Sequence, residues 1–386
     1  MTATEWINAQ QAGLIQQVLA WSNINSGSRN VPGLNSAAET IYAGFQATEP
    51  EFSELIRPEK KNSGPIAIFR KRKQATQQVL FFGHLDTVYS PEHPLQQAVL
   101  AANGQMFGPG VCDMKGGLAI LLCGLSAFER FVPGKNFGWT IMINSDEEIG
   151  SPISSELFES EAGKHRLGLG FEPALEDGSL ASTRKGSGTF TFKVHGKAAH
   201  SGRNPGAGRN ALVPLAQFIL ACQRLNAERP TVFLNPAIVS GGDATNVVPD
   251  VATCQINVRT TSAEDEDWVQ REMEQLRVFL QDGDRYRTEL TGRFTAPPKM
   301  MTPEISWLLT LAQGAATEIR LELDAKPTGG TCDGNRLAQY GLPNLDNLGA
   351  RGGAIHSENE FLITESLVER SLLLFGVLRL LNEQLR

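Results

Sequence analysis

Three short stretches of this sequence place acidic or imidazole side chains directly after an apolar run. Gly83-His84-Leu85-Asp86-Thr87-Val88 follows Val79 to Phe82. Ser145-Asp146-Glu147-Glu148-Ile149-Gly150-Ser151 follows Trp139 to Ile143, and Glu172-Pro173 follows Leu167 to Phe171. Three consecutive acids at the end of a buried strand repel and raise one another's pKa. A positive charge belongs beside them, and a metal ion is the simplest one. An acidic turn capping the next helix is the plainer alternative for that stretch alone.

Two more donors complete a set. Asp113 lies in Phe107-Gly108-Pro109-Gly110-Val111-Cys112-Asp113-Met114-Lys115-Gly116-Gly117, and His356 in Gly353-Ala354-Ile355-His356-Ser357-Glu358-Asn359. His84, Asp113, Glu148, Glu172 and His356 offer two imidazoles and three carboxylates, which suits zinc or a similar divalent metal. One bridging carboxylate would leave one His and one carboxylate for each of two ions. Two-metal hydrolases hold their ions roughly 3.5–4 Å apart and activate a bridging water. Asp86 is placed to accept the second N–H of His84. Glu147 is then left beside Glu148. Neighbouring side chains on an extended backbone point opposite ways. Only at a turn could both reach the site, one as ligand and one as general base.

The elements that must position these residues alternate between strand and helix through the first 180 or so positions. Such alternation predicts an α/β fold with a mostly parallel sheet. Ligands of open α/β sheets bind outside the carboxyl ends of the strands, so adjacent parallel strands would bring these side chains to one rim. After Ala181 the pattern changes to a half-exposed strand near 189–195, a helix near 211–225, strands near 231–239 and 252–260, a helix at 263–280 and a strand near 287–292. This β-α-β-β-α-β order predicts an inserted ferredoxin-like α+β domain. The expected boundaries are 1–183 and 297–386 for the catalytic domain and 184–296 for the insertion.

Composition narrows the function. The 386 residues carry a net charge of −7 and no Lys/Arg block, which argues against a nucleic-acid partner. The densest basic run, Arg70-Lys71-Arg72-Lys73, reads as a solvated hairpin turn. The five cysteines lack C-x-x-C spacing and read as reduced core residues of a cytoplasmic protein. No apolar run reads as long enough to span a membrane, and Thr4 to Trp21 reads as one amphipathic helix.

The motifs G-H-L-D-T-V, G-P-G-V-C-D-M-K-G-G, S-D-E-E-I-G-S, F-E-P, G-K-A-A-H-S-G, G-G-T-C-D-G-N and H-S-E-N-E occur here in one chain. In combination they resemble the zinc hydrolases that include glutamate carboxypeptidase, acetylornithine deacetylase, succinyl-diaminopimelate desuccinylase and the aminoacylases. The resemblance implies that His84, Asp113 and Glu172 hold one metal, and that Asp113, Glu148 and His356 hold the other. It makes Glu147 the base and implies two divalent ions: zinc, with cobalt or manganese as alternatives. It also implies an inserted domain that dimerises, with His200 supporting an oxyanion, often in the partner's site. Asn246, Arg259, Arg293, Gly330 and Thr331 resemble substrate contacts. A planar Arg fork suits a carboxylate because it bonds both oxygens. The expected activity is hydrolysis of an amide or peptide bond beside a free carboxylate, in an N-acyl amino acid or a short peptide. A deacetylase or desuccinylase is the alternative enzyme, and a non-catalytic binding protein on the same fold is the alternative outside catalysis.

Overall fold

Gly138–Asn144 is buried along its whole length and forms an inner strand of a six-stranded sheet. A strand covered on both faces needs an unbroken apolar run in place of alternation. The computed structural model describes residues 1–59, 63–283 and 285–385. The chain divides into two compact units. Met1–Ser182, Met301–Thr328 and Cys332–Arg386 form the larger; Thr183–Met300 and Gly329–Thr331 form the smaller.

The larger unit is α/β. Its sheet runs Phe52–Ile56, Ile66–Lys71, Gly138–Asn144, Gln78–His84, Leu167–Gly170 and Asn344–Leu345 in spatial order. The last four strands are parallel to one another, and the first two are antiparallel additions at one edge. Register explains the rim. His84 is level with Asn144, and Phe82 with Gly170, so Glu172 emerges at the height of His84. The helix Gly117–Phe131 packs through the core beside Glu365–Gln384. Among the described residues the helical stretch Val111–Phe131 is long and apolar enough to cross a membrane, contrary to the expectation that no run is. Its most apolar window is 94% buried inside the protein, so it is a core helix.

A small antiparallel sheet holds two loops side by side. Gly352–Gly353, Phe361–Ile363, Gln105–Phe107 and Val99–Leu100 are its strands. Gln105–Phe107 leads into the loop of Asp113, while Gly352–Gly353 and Phe361–Ile363 flank that of His356.

The basic run is not a hairpin. The strands on either side of it, Ile66–Lys71 and Gln78–His84, are separated by Gly138–Asn144. Nor, apart from the exposed Lys73, is the run solvated. Arg70 pairs with Glu161, and Lys71 and Arg72 with Glu129, all with largely buried side chains. The amino-terminal segment is two helices, Ala3–Ala9 and Gln11–Ser22, broken at Gln10.

The smaller unit has a four-stranded antiparallel sheet in the order Phe233–Gly241, Val251–Thr260, Gly186–His195, Arg287–Ala296. With helices Leu212–Glu228 and Ala263–Gln281, this is the ferredoxin-like arrangement. Phe190, Phe192, Val194, Cys254, Ile256 and Val258 line its core face, and Phe192 stacks on Phe218 at 4.1 Å. Gly329–Thr331, expected with the catalytic domain, packs with this unit.

Candidate metal centre

Five donors of the larger unit converge as two groups that share Asp113. His84, Asp113 and Glu172 offer atoms within 4.8 Å of one another, and so do Asp113, Glu148 and His356. Asp113 faces both imidazoles: Oδ1 lies 3.2 Å from Nε2 of His84 and Oδ2 lies 3.2 Å from Nε2 of His356. Nε2 of His84 is 3.8 Å from Glu172, and Nε2 of His356 is 3.2 Å from Glu148.

Local chain geometry makes this possible. Gly110 has φ +68° where the Asp113 loop turns, a conformation glycine adopts without penalty. A Cβ on Gly117 would stand 2.0 Å from the Phe171 carbonyl oxygen. Only glycine therefore lets the end of the Asp113 loop approach the strand end that carries Glu172. His356 itself has φ +61°, a left-handed conformation uncommon outside glycine, in a loop held by the small sheet.

The acidic triplet splits its roles. Asp146 turns away: its carboxylate accepts the Ile153 and Ser154 N–H groups and the Ser154 hydroxyl. Asp146 thus ties down the turn leading into the helix Ser155–Ala162, whose amino end has no side-chain cap. Glu147 and Glu148 lie in a 3-10 turn, Glu147–Ile149, which meets the condition for both to face the site. Their N–H groups each donate to Asp86 at 3.2 Å. Asp86 is fully buried, accepts from Ser28 at 2.7 Å, and stands 3.4 Å from Nδ1 of His84, whose nearer neighbour is the Asp86 carbonyl at 3.1 Å. One residue thus orients His84 and ties down the Glu147–Glu148 turn; the imidazole partner was legible in the sequence, the turn was not.

The electrostatics match a cation site. Burial pushes the Glu147 carboxyl well above its ordinary range, and the Glu172 charge adds to it. Burial likewise raises Glu148, against the His356 hydrogen bond. The Asp113 and Glu148 carboxylates hold His356 up at about 11. Burial lowers His84, but Asp113 and Asp86 more than offset that and raise it well above its ordinary value. The imidazoles therefore carry protons wherever no metal competes for their nitrogens. Imidazole nitrogens and carboxylate oxygens converging in two threes fit a pair of divalent cations.

Residues 182–278 match the M20 peptidase dimerisation domain. Carboxypeptidase G2 of Pseudomonas sp. (strain RS-16) is 26% identical over 376 residues, covering 94% of this chain and 88% of that protein. A succinyl-diaminopimelate desuccinylase of Methylobacterium radiotolerans is 26% identical, covering 86% and 87%. These likenesses support the M20 family of metallopeptidases and amidohydrolases. The crystal structure of a dinuclear metal-binding M20 peptidase from Bacillus subtilis superposes with a TM-score of 0.74 at 16% identity, covering 97% of this chain and 99% of that one. The chain is a hydrolase, similar to peptidases and deacylases.

The remaining predicted residues lie in the smaller unit. His200 is exposed, in a bridge with Val247, and Asn246 adjoins it by accepting the Ser201 N–H. Nδ1 of His200 accepts the Gly202 and Arg203 N–H groups. Its other nitrogen, Nε2, is left as the donor. Arg259 pairs in register with Ser187 and Arg293 with Thr189, which puts both on the sheet face opposite the hydrophobic core. Nε of Arg259 donates to Asn257, while its buried Nη1 has no hydrogen-bond partner. The Gly330 carbonyl accepts from Arg184, and Thr331 is half-buried beside it.

Sequence reasoning missed several residues around the metal groups. Lys115 is buried and donates to Ser26; its place in M-K-G-G, two residues after Asp113, was the available signal. Asp333, in G-G-T-C-D-G-N, accepts from Ser151 and Asn144 behind the acidic turn. Glu360 is fully buried.

Proposed function

We propose that this M20 hydrolase cleaves an amide or peptide bond next to a free carboxylate, using two divalent cations, zinc before cobalt or manganese. His84, Asp113 and Glu172 would hold one, and Asp113, Glu148 and His356 the other. The observation that carries the reading is the shared aspartate, with one oxygen facing each imidazole at 3.2 Å. When bound, the pair would polarise the scissile carbonyl and lower the pKa of the attacking water.

The protein's own residues supply the rest. Glu147 takes the proton of the attacking water and returns it to the leaving amine, a role worth roughly 10²–10⁴-fold in rate. Burial suits it to that task, because a carboxylate out of water accepts a proton more readily. Asp86 keeps Glu147 in place through its backbone N–H. His200, of this chain or of the partner subunit, would present its Nε2 donor to the developing oxyanion. Arg259, whose buried Nη1 has no partner, would receive the substrate carboxylate, and Arg293, Asn246, Gly330 and Thr331 are further candidates for substrate contact.

The likeness to carboxypeptidase G2 supports an acyl amino acid or short peptide as substrate. The likeness to succinyl-diaminopimelate desuccinylases favours a second reading, removal of an acyl group in a biosynthetic deacylation. The match over 182–278 supports a homodimer through that segment, and five cysteines that form no disulfide support a cytoplasmic setting.

The test is a substrate array on Zn²⁺-loaded protein: N-acyl amino acids, dipeptides, N-succinyl diamino acids and the carboxamide of each. Hydrolysis of the free acids, lost on chelation and restored by the ion, is expected. Equal turnover of the carboxamides would remove the role given to Arg259. No turnover of any amide would overturn the reading.

A further inference from the structure

Glu360 is fully buried, and no Lys, Arg or His lies within ion-pair distance of it among the described residues. Its partners are almost all backbone. Oε1 accepts the N–H of Cys112 at 2.9 Å and of Asp113 at 3.0 Å. Oε2 accepts the N–H of Gly110 at 3.2 Å and the Tyr89 hydroxyl at 2.7 Å. Its own carbonyl accepts the Gly108 N–H at 3.2 Å. Tyr89 also stands 2.9 Å from the carbonyl of Ser357, the residue after His356.

These bonds meet a need. If Asp113 serves both cations, a small rotation of its backbone would spoil one side or both. Nothing regular holds it there: Asp113 and Met114 have non-helical angles inside the turn Val111–Gly116. Four of the N–H groups from Gly108 to Asp113 are instead gathered by one residue of the His356 loop.

We infer that Glu360 is the positioning residue of the shared carboxylate: it fixes the Asp113 backbone so that both oxygens are aimed, and Tyr89 braces it against the His356 loop. This rests on the two-cation reading. Glu360 touches no reacting atom in it and acts only through Asp113. Because Asp113 is common to both groups, loosening it weakens both cations together.

The experiment is a Zn²⁺ titration against a chromophoric chelator, with Co²⁺ absorption as a second readout, on the full chain. In Glu360→Gln, Oε1 can still accept two N–H groups, but the amide turns a donor towards Gly110. Both Zn²⁺ affinities should fall about 10–100-fold, as for other residues that orient metal ligands, and the Co²⁺ band should change shape. With Zn²⁺ saturating, kcat should drop with KM unchanged. Tyr89→Phe keeps the ring and the backbone bonds to Glu360, and should lose affinity by about three- to ten-fold, within the lower part of that scale.

Glu161→Gln removes another buried carboxylate of the same unit and serves as control, with Zn²⁺ affinity unchanged. An equal loss there would reduce the Glu360 effect to general loosening and overturn the inference. So would folded Glu360→Gln and Tyr89→Phe proteins within twofold of the parent. If Glu360→Gln does not fold, Tyr89→Phe decides alone by the same criterion. A parent protein that takes up no Zn²⁺ fails the two-cation reading itself.

Discussion

Two groups of buried carboxylates in the larger unit are neutralised in different ways. Glu161 receives both terminal nitrogens of Arg70, at 2.8 and 3.0 Å, and Glu129 those of Arg72, at 2.9 and 2.6 Å. Burial alone would raise Glu161, yet the Arg70 and Lys164 bonds bring it down to about 2. At the strand ends, by contrast, no Lys or Arg lies within ion-pair distance of Asp113, Glu147 or Glu148 among the described residues. Burial drives Glu147 and Glu148 up. Acids that the fold needs for itself are matched by guanidinium forks, which meet both oxygens. Acids at the rim are met by imidazoles, which can give up a proton and become ligands. The difference separates carboxylates that hold the structure from carboxylates that await a cation.

The contrast should break most completely at Asp113. Asp113→Asn removes the charge common to both groups, and the neutral amide is a poor ligand. Elemental analysis after Zn²⁺ loading should give fewer than two ions per chain, with hydrolysis abolished. Two ions and retained turnover would refute the shared-ligand assignment.

Next in size is Glu147→Gln. Turnover should fall by roughly 10²–10⁴-fold with both ions retained. The metal-free protein should melt no lower than the parent, because burial already disfavours the Glu147 charge. Loss of metal here, with retention in Glu148→Gln, would reverse the two assignments.

Glu161→Gln should do the opposite: leave kcat and metal content alone and cost about 3 kcal/mol of stability by stranding Arg70. Denaturant unfolding of the metal-free protein checks it, and a loss below about 1 kcal/mol would place the pair with ordinary surface bridges.

The smallest effect is on acid stability. The Glu161 carboxyl lies below its ordinary value of 4.5, so the folded state favours its charged form. That contribution is present above pH 4.5 and is lost as pH falls towards about 2. Over this interval the metal-free parent should lose stability more steeply than Glu161→Gln. Parallel curves would mean that the Arg70 pair contributes nothing to acid sensitivity.

The donors were legible in the sequence because strands and loops are local patterns. His84, Glu148 and Glu172 each follow an apolar run, and chain direction alone puts such residues at one rim. The β-α-β-β-α-β unit was legible for the same reason. What holds the donors was not. Glu360 bonds Gly110 from 250 positions away, and no periodicity connects them. The strands around the His356 loop are two or three residues long, too short to show a period. The basic run was misread because strand order is a property of the sheet: neighbours in sequence, Ile66–Lys71 and Gln78–His84, are not neighbours in space. Asp86 was read as a partner of His84, and its second task appears only once the Glu147–Glu148 turn folds back over it.

The placement of Glu360 bears on the order of events during synthesis. His84, Asp113 and Glu172 have all left the ribosome long before His356 and Glu360 are made. At about 5–20 residues per second, the interval is on the order of tens of seconds. Three of the proposed ligands are then present, but on the inference above their aspartate would lack the residue that aims it. Cation loading should therefore follow release of the chain and not accompany its growth. Ribosome-bound chains stalled before residue 356 should bind Zn²⁺ far more weakly than the folded protein at either group. Equal affinity in the stalled chain would show that the first group matures without the carboxyl-terminal loops.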